Sequence, residues 1–193
     1  MLLLNRVPGR YLQRRRGERG ATALEFAMIA PFYFLLLIGI IETSMVMFAQ
    51  HVLENASATA SRTGKTGYVS PTKTQQQTIM AAVDRMAGFL MDKNKIAVSS
   101  LAYKSFSGIG TGEQFVDANM NNHWDPGENY TDSNGNGHYD SDIGTTGYGT
   151  AGDIVVYTIT YPWPIMTPAM KHFLGEDGIL NLRSRIVVKN EPF

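Results

Sequence analysis

The chain has 193 residues, 44% of them apolar, with 17 basic and 17 acidic side chains and no cysteine. That length allows one ordinary domain plus an appended segment, and the missing cysteine excludes a disulfide framework, a thiolate metal site and a cysteine nucleophile. The zero net charge hides an asymmetry: residues 1–20 carry six arginines against Glu18, a net of +5 that the rest of the chain offsets with −5, a pattern of membrane topology rather than of nucleic-acid binding.

Residues 1–20 are a basic leader. From Ala21 the chain reads ATALEFAMIAPFYFLLLIGIIETSMVMFAQ, in which only Glu25 and Glu42 are charged. Leu24 to Ile41, extended by Met45 to Ala49, supplies the roughly 20 apolar residues a membrane helix needs. Pro31 and Gly39 are tolerated in such helices. The arginines before the span hold the N-terminus in the cytoplasm and send everything after about residue 48 across the membrane. A cleaved secretory signal has a candidate site at Ala56, Ser57 and Ala58, but its apolar region runs only about 7–15 residues; the longer run here argues against it and against a twin-arginine signal. An acid inside an apolar segment costs about 2.5–3.5 kcal/mol at the bilayer centre and persists where a partner or a function offsets it, which singles out Glu25.

Residues 43–63 extend this helix, so residues 21–63 form one transmembrane and stalk segment, with Ala56 and Ala60 small enough for close packing. The sequence GKTGYVSPT, 64–72, breaks it. Residues 73–92 place Ile79, Val83, Met86 and Leu90 at helical spacing, which predicts a second helix with one buried stripe and assigns its methionines and Phe89 to the core. Alternation with period two predicts strands at Ile96–Tyr103, Asp153–Tyr161 and Leu180–Val188. Pro162, Trp163 and Pro164 are expected to stop the middle strand, and MTPAMKHFLG to form a short helix after Pro168. The fold expected is α+β: the long N-terminal helix, then a head over 64–193 in which a second helix packs on a small antiparallel sheet.

Within the head lies an acidic insert, 113–143, in a stretch from 105 to 170 that has no Lys or Arg. A shift of 15 residues superimposes it on itself, bringing Asp117, Asn119, Asn121, His123 and Asp125 onto Asp132, Asn134, Asn136, His138 and Asp140. Oxygens at positions 1, 3, 5, 9 and 12 of a tight loop, with a main-chain carbonyl at 7, are what Ca²⁺ takes. The first loop offers Asp117, Asn119, Asn121, the His123 carbonyl, Asp125 and Glu128. The second offers Asp132, Asn134, Asn136, His138, Asp140 and Asp142, but Ile143 stands at position 12, which leaves its closure open. Asn122 replaces the usual turn glycine in the first loop, and Gly137 supplies it in the second. Carboxylate-rich oxygen sites favour Ca²⁺ over Zn²⁺, so one or two Ca²⁺ ions are expected. With no apolar core of its own, the insert is expected to depend on metal for its order. The bland alternative is a solvated Asn/Asp/Gly loop.

The stretch RRRGERG followed by ATALEF resembles a type IV prepilin leader. The resemblance implies cleavage by prepilin peptidase between Gly20 and Ala21, with Glu25 fifth in the mature chain and Phe26 after it. Such a cut removes all six arginines and exposes an α-amino group, which Glu25 meets on its own chain or on a neighbour; the resemblance favours the neighbour. The longer stretch, through Pro31, Ile41, Glu42, Ala56, Ala58, Ala60, Arg62 and Gly64, with RIVVKNEPF at the C-terminus, resembles the TadE-like minor pilins of the tight-adherence (Flp) pilus. That resemblance implies a non-enzymatic inner-membrane subunit with a periplasmic or pilus-borne head, whose partners are other pilins or pseudopilins through the N-terminal helix and no nucleic acid. An unprocessed single-pass Ca²⁺-binding adhesin or envelope protein is the alternative. No phosphate loop, triad spacing or zinc motif points to an enzyme.

Overall fold

The computed structural model describes residues 14–168, 170–171 and 177–192. Helix α1, Arg14–Lys65, is the dominant element and contains Pro31. The chain divides into two units, Met1–Met45 and Val46–Phe193. In the first, α1 carries a stretch long and apolar enough to cross a membrane, none of it buried against protein. Leu24, Phe26, Met28, Ile29 and Phe32 all lie exposed along it. A helix apolar on every side belongs in lipid or against other helices rather than in water.

In the second unit α1 becomes one wall of the core. Ala49, Leu53, Ala56 and Ala60 are fully buried, and their small size lets the sheet approach the helix closely. A buried hydrogen bond of 2.6 Å joins the Ser57 and Ser184 hydroxyls. The helix end is tied down by the Lys65–Glu191 ion pair at 2.9 Å, and by the Glu191 amide donating to the Lys65 carbonyl.

Helix α2, Gln75–Ala87, begins at a capping box: the Thr74 hydroxyl accepts from the Gln77 amide, and the Gln77 side chain accepts from the Thr74 amide. This arrangement satisfies two otherwise orphaned donors. Ile79 and Val83 are buried as the spacing predicts, but Met86 and Phe89 are exposed, and Ala87 and Met91 take the core positions instead. For Phe89 the reason is local: α2 stops at Ala87 and the chain turns through Gly88, so helical spacing no longer describes where it points. Within α2 the buried stripe runs from Ile79 through Val83 to Ala87 in steps of four, which leaves Met86 outside it.

The sheet orders β2 (Thr145–Thr146), β1 (Ala97–Tyr103), β3 (Ile154–Pro164) and β4 (Ile179–Lys189), all antiparallel. The inner row of β3, from Val155 through Tyr157, Ile159 and Tyr161 to Trp163, is buried in the core with Leu182 of β4 and the α1 and α2 residues above. Contrary to expectation, β3 runs on through Pro162, Trp163 and Pro164, paired with Asn181, Leu180 and Ile179. The pairing of β1 with β3 ends at Thr160, so both prolines stand where β3 is an edge and a missing N–H breaks no ladder bond on that side. Of the segment expected to form a short helix, residues 168, 170 and 171 are helical, 166 and 167 precede the helix, and 169 and 172–175 lie outside the described residues. On the other sheet face Tyr103, Ile154 and Val156 are covered by Leu101, Ile109 and Ile143, which seats the acidic insert there.

Candidate functional site

The processing residues lie along α1. Gly20, Ala21, Glu25 and Phe26 are all helical and exposed, and among the described residues a Cβ at Gly20 would meet nothing within 4 Å beyond its own helix. Residues 1–13 of the leader fall outside the described residues.

The insert folds as two copies of one loop. In the first, the Asp117 carboxylate accepts from the amides of Asn121 and Asn122 at 3.1 and 2.7 Å. In the second, Asp132 accepts from Gly135, Asn136 and Gly137 at 2.6, 3.2 and 2.8 Å. Asn122 adopts φ 59° and Gly137 φ 78°, so asparagine does take the left-handed turn that glycine takes in the other loop. Within each loop two asparagine amides converge on one carboxylate oxygen. Asn119 and Asn121 donate to Asp125 at 2.7 and 2.8 Å, and Asn134 and Asn136 donate to Asp140, both at 2.6 Å. The backbone amides of His123 and His138 donate to Asn121 and Asn136, and both residues are exposed.

Closure of the loops is where the structure adds a residue. Glu128 accepts from the amides of Ala118 and Asp125, at positions 2 and 9 of the first loop, at 2.9 and 3.0 Å. At the same positions of the second loop, Ser133 and Asp140 donate to Glu113, at 2.6 and 3.2 Å. Glu113 thus fills the place that Ile143 leaves empty, while Ile143 packs on the sheet face. Asp142 turns away, accepting from the Tyr103 hydroxyl at 3.0 Å and from the Gly144 amide. Sequence reasoning passed over Glu113 because it precedes its loop by 19 residues. The signal was present all the same, since the 15-residue shift also carries Gly112-Glu113 onto Gly127-Glu128.

The two copies therefore exchange glutamates, each Glu that precedes one loop closing the other. Their joint is an antiparallel bridge between Phe115 and Tyr130, with Val116 donating to Asn129 and Thr131 to Gln114, both at 2.8 Å. Trp124 and Tyr139 stack at 4.6 Å across it, and Phe115 and Tyr130 meet them edge-on. The expectation of an insert without apolar packing is corrected by this half-buried aromatic quartet.

The electrostatics follow the hydrogen bonds. The Gly137 amide, followed by those of Gly135, Asn136 and Asn134, holds the Asp132 carboxyl below its ordinary value despite some desolvation. The Asn119 and Asn121 side chains do the same for Asp125. No group of three or more His, Cys, Asp or Glu side chains among the described residues is arranged to hold a metal. A hard cation here would rely on asparagine and main-chain oxygens beside the carboxylates.

Ser133 and Asn134 also reach a cavity of about 510 Å³ lined by Tyr103, Lys104, Tyr148 and Asp153. Asp153 anchors its wall. It accepts from the Thr150 amide and hydroxyl at 2.8 and 2.9 Å and from the Lys104 ammonium at 2.9 Å.

Residues 20–62 match the family model described as TadE-like protein. No curated protein and no solved structure matches the chain.

Proposed function

We propose, from the TadE-like identity of residues 20–62, that the chain is a minor pilin or pseudopilin that helps assemble or prime a tight-adherence pilus. One observation carries this reading: the matched segment contains the stretch of α1 from Leu24 to Phe48 along which the protein leaves large apolar side chains uncovered. Prepilin peptidase would cut between Gly20 and Ala21 and leave Glu25 beside a new amine whose pKa is about 7.7–8.0. Opposite charges in an apolar surrounding then set the register against a neighbouring pilin. The subunit is a structural one rather than an enzyme. Its N-terminus lies in the cytoplasm, and its head lies in the periplasm or on the pilus.

The head displays the paired loops, which we assign to Ca²⁺. The donor types at positions 1, 3, 5, 7 and 9 suit that ion, and Glu128 and Glu113 supply the closing carboxylates. In each loop the asparagine amides now directed at Asp125 or Asp140 occupy the role a cation would take, compensating one carboxylate oxygen. Binding would stabilise the folded insert by mass action.

N-terminal sequencing of protein recovered from cells with active prepilin peptidase tests the main reading. Ala21 as first residue supports a processed pilin. Met1 would make the chain an anchored Ca²⁺-binding envelope protein, and Thr59 a secreted product.

A further inference from the structure

Where α1 enters the second unit, an apolar corner stands uncovered. Met47 and Phe48 of α1 are 59% and 49% exposed, and Met86 and Phe89, in and just after α2, are 38% and 71% exposed. The Phe48 and Phe89 rings meet edge to face with centroids 6.5 Å apart, so the corner is one patch assembled from two elements. Exposed basic residues flank it along the chain: Arg85 four residues before Phe89, then Lys93 and Lys95. The nearby Asp92 carboxylate is engaged as the cap of the Lys93–Lys95 turn, accepting from the Asn94 amide at 3.0 Å.

Length along α1 identifies what covers the corner. A hydrocarbon core of about 30 Å takes about 20 helical residues at 1.5 Å each, so a span that starts at Leu24 leaves the core near residue 43. Phe48 follows about five residues, roughly 7 Å, farther along the same helix, within a headgroup layer about 5–8 Å deep. Interfacial segments bury Phe and other apolar side chains at the boundary between headgroups and acyl chains and set Lys and Arg against anionic headgroups. We propose that this corner is a bilayer-contact patch: Phe48, Met86 and Phe89 enter the boundary between acyl chains and headgroups, and Arg85, Lys93 and Lys95 pair with phospholipid phosphates. The inference rests on the reading of α1 as a membrane span. Its consequence is that this corner touches lipid while the subunit awaits assembly.

The native chain has no cysteine, so single-cysteine variants give clean labelling. Phe89→Cys and Met120→Cys replace exposed side chains, at 71% and 87% exposure, and neither change opens a core. Each full-length variant carries an environment-sensitive fluorophore in vesicles of phosphatidylethanolamine and phosphatidylglycerol that contain headgroup-level quencher lipid. Several-fold stronger quenching at residue 89 than at 120, lost together with its blue-shifted emission when Arg85, Lys93 and Lys95 are replaced by glutamate, is the expected result. Equal quenching at both sites, in protein that resists alkaline extraction, overturns the patch while leaving the span intact. Protein that alkali extracts overturns the span and the patch together. A label at 89 that is shielded from quencher only at high protein density overturns the lipid assignment in favour of a second copy.

Discussion

Glu113 accepts the amide hydrogen of Ser133 at 2.6 Å, so the residue that opens the first repeat closes the second. Its carboxylate is almost wholly buried and also satisfies the Asp140 amide. Glu113→Ala should leave both amides without an acceptor, at a local cost of about 1–3 kcal/mol. Amide hydrogen exchange at Ser133 and Asp140 is expected to accelerate while protection in β3 and β4 stays unchanged. Undisturbed protection in the second loop would remove the closing role assigned to Glu113.

Calcium supplies a second prediction. At about 100 times the dissociation constant, a ligand that binds only the folded form stabilises it by about 2.7 kcal/mol. Added Ca²⁺ should therefore protect residues 113–143 from proteolysis, and a chelator should reverse this. In the second loop Glu113→Ala should weaken binding as severely as Asp132→Asn. Digestion indifferent to Ca²⁺ would argue for a loop held only by its own hydrogen bonds and aromatic quartet.

Gly64 is required by a neighbour. A Cβ there would collide with the Tyr157 hydroxyl, which is buried with no hydrogen-bond partner among the described residues. Gly64→Ala should cost about 1–3 kcal/mol through overpacking. Tyr157→Phe, which removes the orphaned hydroxyl, should be neutral or stabilising and should partly rescue Gly64→Ala. Burial pushes the Tyr157 phenol up to about 12. Folding therefore holds the phenol's proton more tightly than the unfolded chain does, and stability should fall as pH rises from 10 towards 12. Tyr157→Phe should flatten that slope in denaturation measured against pH.

Acid should destabilise the fold as well, through carboxylates. The Thr150 amide, helped by Lys104 and the Thr150 hydroxyl, holds the Asp153 carboxyl below its ordinary 3.8 despite desolvation. Asp132 is depressed likewise. Both contribute stability that is present above pH 3.8 and lost as pH falls through their lower folded values. Asp153→Asn should lower the melting temperature at neutral pH and reduce the loss of stability below pH 3.8. Melting curves that keep the wild-type acid slope would show that the Asp153 network is not its source.

Much of this architecture was legible because it depends on local pattern. The apolar run after Gly20, the period-two alternation of three strands and the breaker at residues 64–72 each use neighbouring residues alone, and the strands and the helix end occur within a few residues of expectation. Phe89 was misplaced by extending helical spacing past Gly88, where the chain had already turned, and Met86 because the buried stripe of α2 steps by four to Ala87. The prolines of β3 were misread because β1 no longer pairs with β3 past Thr160, so on that side no ladder bond is lost, and strand order is a property of the folded sheet.

The amino-acid order by itself determined the charge separation, the span, the helix-then-sheet plan and the 15-residue repeat, since each follows from covalent neighbours and their spacing. Only the tertiary structure decided that Ile143 belongs to the sheet face and that Glu113 takes its place. Closing a loop requires proximity in space, and packing the repeats against each other at Phe115 and Tyr130 brings together residues that the chain holds far apart.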